Sequence, residues 1–329
     1  MFKVGDSEEQ NLLIRLQSLE ALIGNTPLIN LNSKSVNLFT KLEYHNLTGS
    51  VKARPAYYVL KKAIERGDIH SKTTVIESSS GNFALALATL CKYLGLRFIP
   101  VIDPNINPIY EANLRLLTSC IEKVQERDVT QGFLLSRLDR VSFLRNTLKH
   151  CYWTNQYANP DCVASHYYGL GEEIANAFTQ LDYAFIGVGS GGTIAGISKK
   201  LKEKFNKIKI IAVDTEGSVI FGGCPQKRYI PGIGSSIVPT NLTEALIDEI
   251  MMISERDAAR GCEELLNKHS IFAGGSTGSV YSAISKYFTH NVPKNSPNVV
   301  FICADSGMPY LQTVYNKEWQ NNLRTAIRS

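Results

Sequence analysis

The sequence predicts an α/β protein of two open lobes, each built on a parallel sheet, and three observations point that way. The chain has 329 residues, more than a single compact domain of about 100–200 residues usually holds. Short β-branched runs alternate with amphipathic stretches along most of it, the signature of strand–helix–strand crossovers. Gly- and Ser-rich loops follow several of those runs, and ligands of open α/β sheets sit beyond the carboxyl ends of strands.

Taken in order, residues 8–22 carry Leu12, Leu13, Leu16, Leu19 and Leu22 at helical spacing, and the break Gly24-Asn25-Thr26-Pro27 ends that helix. Residues 28–31 and 38–42 read as strands. Strand 74–76 then leads into helix 83–93, and strand 97–102 into helix 108–117. The rhythm resumes with a strand at 183–188, a helix at about 193–204, a strand at 208–213, a helix at about 255–269 and a strand at 299–303. The Gly- and Pro-rich stretch 221–239 reads as an ordered excursion, and neither an internal repeat nor a low-complexity segment interrupts the chain.

A formal charge of +5 arises from 35 basic and 30 acidic residues scattered along the chain. No basic tail or stripe announces a nucleic-acid or membrane partner, whereas a small anionic ligand is compatible. Seven cysteines without a CxxC pair argue against a zinc site and a secreted disulfide framework, so no metal is expected and a reducing cytoplasm fits. The opening MFKVGDSEEQ is polar and acidic, and no apolar run approaches the ~18 residues of a membrane span. A soluble, unprocessed protein is expected.

Three loops could carry chemistry. Gly187-Val188-Gly189-Ser190-Gly191-Gly192-Thr193 follows a strand and opens a helix, so its backbone N–H groups and the helix dipole suit a phosphate. It also matches the GxGxxG dinucleotide pattern, and Asp214 stands about 20 residues further on, where a ribose-binding acid would be found. A nicotinamide dehydrogenase, another phosphate ligand and a structural turn all remain open on this loop alone. Gly274-Gly275-Ser276-Thr277-Gly278 mimics a hydrolase nucleophile elbow, but only His290 follows Ser276 and no Asp or Glu lies between them, so the required order of Ser, acid and His fails. A helix-capping turn and a ligand-binding serine are the readings left. In Thr48-Gly49-Ser50-Val51-Lys52-Ala53-Arg54-Pro55 a lysine is framed by small residues where a helix starts near Pro55. Most lysines are solvated surface charges. At a helix start, however, the dipole disfavours a cation and lowers its pKa, and a neutral amine is what Schiff-base chemistry requires.

In order, Gly24-Asn25-Thr26-Pro27-Leu28, Gly49-Ser50-Val51-Lys52, Glu77-Ser78-Ser79-Ser80-Gly81-Asn82, the 187–193 loop and Gly275-Ser276 resemble the fold-type II pyridoxal-phosphate (PLP) enzymes, tryptophan synthase β-like in fold, and especially the cysteine synthase and cystathionine β-synthase family. The correspondence runs along nearly the whole chain. It implies pyridoxal 5'-phosphate held between two lobes, a larger one from 1–44 and 158–329 and a smaller mobile one from 45–157, in a homodimer acting on small amino acids. A narrower likeness, carried by Trp153-Thr154-Asn155-Gln156-Tyr157-Ala158-Asn159, Ser165-His166-Tyr167, Val213-Asp214, Gly217 to Gly222, Pro231-Gly232-Ile233-Gly234 and 271–279, is to the N-(2-amino-2-carboxyethyl)-L-glutamate synthases. These join O-phospho-L-serine to L-glutamate, releasing phosphate through an aminoacrylate intermediate, on the way to 2,3-diaminopropionate for siderophores and peptide antibiotics. The alternative in the same class is a cysteine synthase using O-acetylserine or O-phosphoserine with sulfide.

The resemblance assigns Lys52 as the Schiff-base lysine and proton-abstracting base, Asn82 as partner of the ring oxygen, Gly189, Ser190, Gly191, Gly192 and Thr193 as phosphate cradle, and Ser276 as partner of the ring nitrogen. Ser79, Ser80 and Gly81, helped by Gln156, would receive the substrate carboxylate. Arg137 and Tyr157 are candidates for the donor phosphate or a glutamate carboxylate, because a planar guanidinium matches such oxyanions; a solvated helix charge and a packing tyrosine are their alternative readings. Two stretches depart from the pattern. The 189–193 cradle looks like that of an ordinary cysteine synthase, and Asp305-Ser306-Gly307-Met308-Pro309-Tyr310 replaces a Gly-Glu-Arg-Tyr run, leaving packing or ion pairing at that edge open.

Overall fold

The computed structural model describes residues 8–326 apart from 32, 34, 130, 131 and 294; the first seven residues, part of the polar opening read above, lie outside the described ones. Helix α1 (Glu8–Gln17) is followed by β1 (Leu28–Leu31) and β2 (Asn37–Leu42). Next come α2 (Ala53–Glu65), β3 (Thr74–Ser78), α3 (Asn82–Leu94), β4 (Arg97–Ile102), α4 (Pro108–Leu117), β5 (Glu122–Lys123), α5 (Leu134–Thr147) and β6 (Cys151–Trp153). Helices α6 (Pro160–Ser165) and α7 (Glu172–Ala177) are joined by a π-helical segment, His166–Gly171. The chain continues through β7 (Tyr183–Gly187), α8 (Gly192–Lys204), β8 (Lys209–Thr215), β9 (Glu249–Ile253), α9 (Glu255–His269), α10 (Gly275–His290), β10 (Asn298–Cys303) and α11 (Lys317–Ala326).

Among the described residues these strands form two sheets, one ordered β1-β2-β10-β7-β8-β9 and one ordered β5-β4-β3-β6. The smaller sheet is parallel throughout. The larger is parallel except at its edge, where β1 runs antiparallel to β2. This corrects the all-parallel expectation, and the reason is chain length: only residues 32–36 separate the two strands, far too few for a crossover. Helix α2 also begins two residues earlier than read, at Ala53, which makes Lys52 its N-cap. Pro55 then sits in the first turn, where its missing N–H costs nothing.

Helices cover both faces of the larger sheet, with Phe185 and Phe301 fully buried at its centre. Helix α10 is buried almost throughout and lies directly against α9. A Cβ on Gly278 would stand 2.2 Å from the Ala258 carbonyl oxygen and one on Gly261 2.2 Å from the Gly278 carbonyl oxygen, so only glycine permits this approach. The contact fixes the height at which the first turn of α10, with Ser276, meets the strand ends. Leu12 and Leu16 of α1 enter the apolar core that α2 and α3 form beside the smaller sheet. No helix among the described residues is long and apolar enough to cross a membrane.

A buried ion cluster ties the two sheets together beside Lys52. Arg54, in the first turn of α2, pairs through Nε with Glu43 (2.6 Å) and through Nη1 with Glu173 of α7 (2.7 Å), and Lys41 of β2 reaches the other Glu173 oxygen at 2.7 Å. Thr26 donates to Glu43 at 2.6 Å and Asn46 at 3.0 Å. Burial alone would raise the Glu173 carboxyl, but Arg54 and then Lys41 and the Asn25 N–H outweigh it and hold it at about 2. An unfolded glutamate titrates near ~4.3, so this stabilisation is complete above that range and is lost as the pH falls toward the folded value. Glu173→Gln should therefore lower stability near neutral pH by about 2–3 kcal/mol. Urea denaturation of both proteins checks this: the gap between them should narrow steadily below about pH 4, and a gap independent of pH would mean that Glu173 is not held as a paired carboxylate.

Candidate functional site

Four helices, α2, α3, α8 and α10, begin on the walls of one cleft of about 640 Å³, counted with its open mouth. None of the four is capped by the side chain of its own N-cap residue, which is Lys52, Gly81, Gly191 and Gly274 respectively. Helices α4, α6 and α9, whose starts do not line the cleft, are capped by Asn107, Asn159 and Ser254. In α3 the Ala84 N–H is taken by Ser79 Oγ at 3.2 Å. Free N–H groups and the positive ends of several dipoles thus converge on one space, an arrangement suited to anionic groups.

The loop ahead of α8 is shaped for close approach. Gly191 has φ +81°, and a Cβ there would lie 2.9 Å from the Leu242 nitrogen; a Cβ on Gly189 would lie 3.1 Å from the Gly232 carbonyl oxygen. At its end Thr193 Oγ1 meets Nε2 of His166 at 3.1 Å. That imidazole is buried, and burial, followed by the charges of Lys52 and Arg54, pushes its pKa well below the usual range, so it stays neutral. A bound phosphate group fits such a cradle: the backbone is bare, the donors are free and no carboxylate intrudes.

Lys52 stands opposite, its Nζ donating to Ser190 Oγ at 3.3 Å. Burial drives its ammonium pKa down, against the opposing pull of Cys162 and Asp305. The cleft therefore holds an amine that loses its proton more readily than a surface lysine. Across from it Asn82 opens α3. Its Nδ2 donates to Asp305 Oδ2 at 2.8 Å and its Oδ1 accepts from the Tyr110 hydroxyl at 2.7 Å. Ser276, in the first turn of α10, lines the same wall near Gly232.

The structure brings Lys52, Asn82, Gly189, Ser190, Gly191, Thr193 and Ser276 onto this cleft, with Gly192 and Gln156 on a recess beside it that also includes His166 and Cys162. Ser79, Ser80, Gly81, Arg137 and Tyr157 do not line it. Ser80 Oγ accepts from Arg137 Nη1 at 2.6 Å and donates to Asp103 at 3.0 Å, while Arg137 and Asp103 pair at 3.3 Å. Arg137 is thus a mostly buried group rather than a solvated helix charge, and its Nε has no partner. Gln156 is pinned from its side-chain amide to the Ser78 carbonyl at 3.2 Å and from its N–H to Glu77 at 3.2 Å. The Tyr157 phenol is raised by burial and pulled back by Arg137, then raised by Glu77 and pulled back by Arg228.

Two residues escaped the sequence reading. Asp305 is a buried carboxylate on the cleft wall just past β10, a position at a strand's carboxyl end that could have flagged it. Arg228, on the 221–239 excursion, rests its guanidinium on the Gly217 and Ser235 carbonyls at 2.7 and 3.1 Å and on Ser236 Oγ at 3.2 Å. Asp214, the acid a dinucleotide would need, is fully buried at the end of β8 with its Oδ1 on the Thr215 N–H at 2.8 Å, so it presents nothing to a ribose.

Comparison with known proteins agrees with this geometry. The chain is 40% identical over 308 residues to the N-(2-amino-2-carboxyethyl)-L-glutamate synthase of Ralstonia nicotianae, covering 92% of this chain and 90% of that protein. Among solved structures it superposes on the O-acetylserine dependent cystathionine beta-synthase of Helicobacter pylori with a TM-score of 0.84 at 30% identity, covering 91% of this chain and 98% of the other. A hydrogen sulfide-producing enzyme of Fusobacterium nucleatum gives a TM-score of 0.83 at 29% identity, covering 89% and 99%. The family model described as pyridoxal-phosphate dependent enzyme matches residues 19–305, and the chain belongs to that family.

Proposed function

We propose that the enzyme replaces the phosphate of O-phospho-L-serine with the amine of L-glutamate, forming N-(2-amino-2-carboxyethyl)-L-glutamate for 2,3-diaminopropionate, siderophore or antibiotic synthesis, as a cytoplasmic homodimer. The observation that carries it is Arg137, mostly buried, donating to Ser80 Oγ at 2.6 Å in the loop before α3 and pairing with Asp103 at 3.3 Å. A donor with a phosphate and an acceptor with two carboxylates need more cationic recognition than a sulfide-using enzyme does. The curated synthase relative supports the same reading. The alternative, a cysteine synthase, draws on the cradle sequence and on the O-acetylserine dependent neighbour.

Bound pyridoxal phosphate would supply the electron sink for loss of an α-proton and a β-leaving group. The protein's share follows from its own atoms. The N–H groups of Gly189 to Thr193 would hold the cofactor's phosphate end, Ser276 would serve its ring nitrogen as a neutral donor, and Asn82 would serve its ring oxygen. Lys52 would be the residue that binds the cofactor, and its Nζ, which donates to Ser190 Oγ at 3.3 Å, would take the α-proton. Ser79, Ser80 and Gly81 with Gln156 receive the substrate carboxylate at the start of α3. Arg137 exchanges its contact with Ser80 and Asp103 for the departing phosphate. The 45–157 lobe, with α1 riding on it, closes to keep water from the reacting carbon.

Adding O-phospho-L-serine to the purified holoenzyme should change its visible absorbance, and L-glutamate should restore it with release of the expected adduct by mass spectrometry. Restoration by sulfide alone would establish the cysteine synthase instead. Arg137→Met should raise KM for O-phospho-L-serine at least tenfold, the cost of a lost charge-assisted contact, while use of O-acetylserine changes little. Because only neutral Lys52 condenses with the cofactor and its pKa is lowered, loading of the apoenzyme should accelerate with pH around a midpoint below the 10.5 of an ordinary lysine; a stopped-flow midpoint at or above that value would exclude a destabilised amine.

A further inference from the structure

A chain of four side chains crosses between the sheets at the cofactor cleft. Tyr110 of α4 donates to Asn82 Oδ1, Asn82 Nδ2 donates to Asp305 Oδ2, and the Tyr310 hydroxyl donates to the same oxygen at 2.7 Å. The Asn107 side chain donates to the Pro309 carbonyl at 2.6 Å, so two independent links join the α4 region to the segment after β10. Asp305 is 4% exposed and its Oδ1 has no partner. That oxygen lies against Gly274, where a Cβ would stand 2.0 Å away, so the carboxylate is wedged at the start of α10.

An amide can sit in two orientations related by a half-turn, and only its partners choose between them. The Tyr110 hydroxyl tolerates either, because it can donate or accept. A carboxylate cannot: with the amide reversed, Asn82 Oδ1 would face Asp305 Oδ2, two acceptors in a buried site. We propose that Asp305 is the positioning residue for Asn82, fixing the amide so that the remaining Nδ2 hydrogen is available to the cofactor's ring oxygen. The inference rests on the reading of Asn82 as that oxygen's partner. Asp305 touches no substrate in this role; it acts through Asn82, and the Tyr310 hydroxyl steadies it.

The test is a double-mutant cycle on pyridoxal-phosphate affinity, measured by fluorescence titration of the apoenzyme, with the absorbance maximum of the bound cofactor as a second readout. Asn82→Ala and Asp305→Ala should each weaken binding about tenfold, the scale of one charge-assisted hydrogen bond. The double variant should bind little worse than either single one, since neighbours acting through one bond are not additive. Asp305→Asn, whose carbonyl can still accept from Asn82, should recover most of the affinity and the wild-type absorbance maximum. Should Asp305→Ala fail to fold, the same cycle is run with Asp305→Ser, which keeps a polar atom at the start of α10 but is too short to reach Asn82 Nδ2. Losses that multiply in the double variant, or wild-type affinity in Asp305→Ala, would overturn the role of Asp305 while leaving Asn82 in place. An unchanged affinity in Asn82→Ala would remove both assignments.

Discussion

Four helix starts whose N-cap residues offer no side-chain cap, gathered around one cleft, are the constraint on which the rest of this molecule turns. At α3, α8 and α10 first-turn N–H groups are left toward the cleft, whereas at α2 those of Ala53 and Arg54 turn back on the Ser50 and Val51 carbonyls; unsatisfied groups cost free energy wherever water is scarce. Elsewhere α4, α6 and α9 are capped by Asn107, Asn159 and Ser254, while α5 and α7 are not capped by their N-cap residues, so side-chain capping is used in this chain but at none of the four cleft N-caps. Glycine takes its place at Gly81, Gly191 and Gly274, which keeps the dipole ends bare and lets backbone approach a ligand closely. The bound cofactor and the substrate's anionic groups are what complete these helices.

The fourth start carries a lysine instead, and that choice creates a problem the neighbouring residues solve. A cation at a helix N-terminus, buried in a cleft where three other helices also begin, is driven toward its neutral form, which is useful for chemistry and unhelpful for holding α2 in place. Two residues on, Arg54 supplies the anchorage through Glu43 and Glu173, reaching from the smaller-sheet helix to β2's end and to α7. Breaking such a cluster leaves an uncompensated charge, which is the expensive case for buried pairs. Stability near Lys52 therefore comes from charges set one turn away from the reactive amine. The amine itself keeps only Ser190 as a hydrogen-bond acceptor and the more distant pull of Asp305 and Cys162.

Much of this was legible in the sequence wherever one segment determines the outcome by itself. The strand Arg97–Ile102 and the helices Pro108–Leu117 and Glu255–His269 stand where they were read, because each has a continuous apolar run or a full amphipathic period. The edge strand β9 was missed since its alternate residues Ile250 and Met252 are exposed and blur the pattern, and α5 because it buries only Leu134, Val141 and Leu144. The π segment at His166–Gly171 likewise hid the continuity of α6 and α7. At the site, the glycine loops and Lys52 announced themselves by composition, whereas Asp305 and Asp103 acquire meaning only from partners far away along the chain, and Arg228 from carbonyls that residues 217–236 fold around it. The run 305–310 did look unusual, but nothing in its letters says that its first residue grips Asn82.

The placement of these groups also bears on how one fold serves different substrates. Under the proposed reading, the larger sheet supplies what holds the cofactor: the phosphate cradle, the ring-nitrogen serine and, in this chain, the carboxylate behind Asn82. The smaller sheet supplies Ser80, Asp103 and Arg137, a three-member arrangement in which the arginine is held by a carboxylate that a substrate oxyanion must displace. Such an arginine discriminates by exchange: a phosphate offers more charge and more acceptor oxygens than Asp103 and wins, while a neutral leaving group does not. Replacing it would alter donor choice without disturbing the cofactor, since no atom of Arg137 lines the cleft. Such a separation is compatible with close structural agreement with an O-acetylserine dependent enzyme, a TM-score of 0.84 at 30% identity. The shared architecture follows from holding the cofactor, and under the proposed reading a difference in donor would lie in side chains such as Arg137 that the architecture leaves free to change.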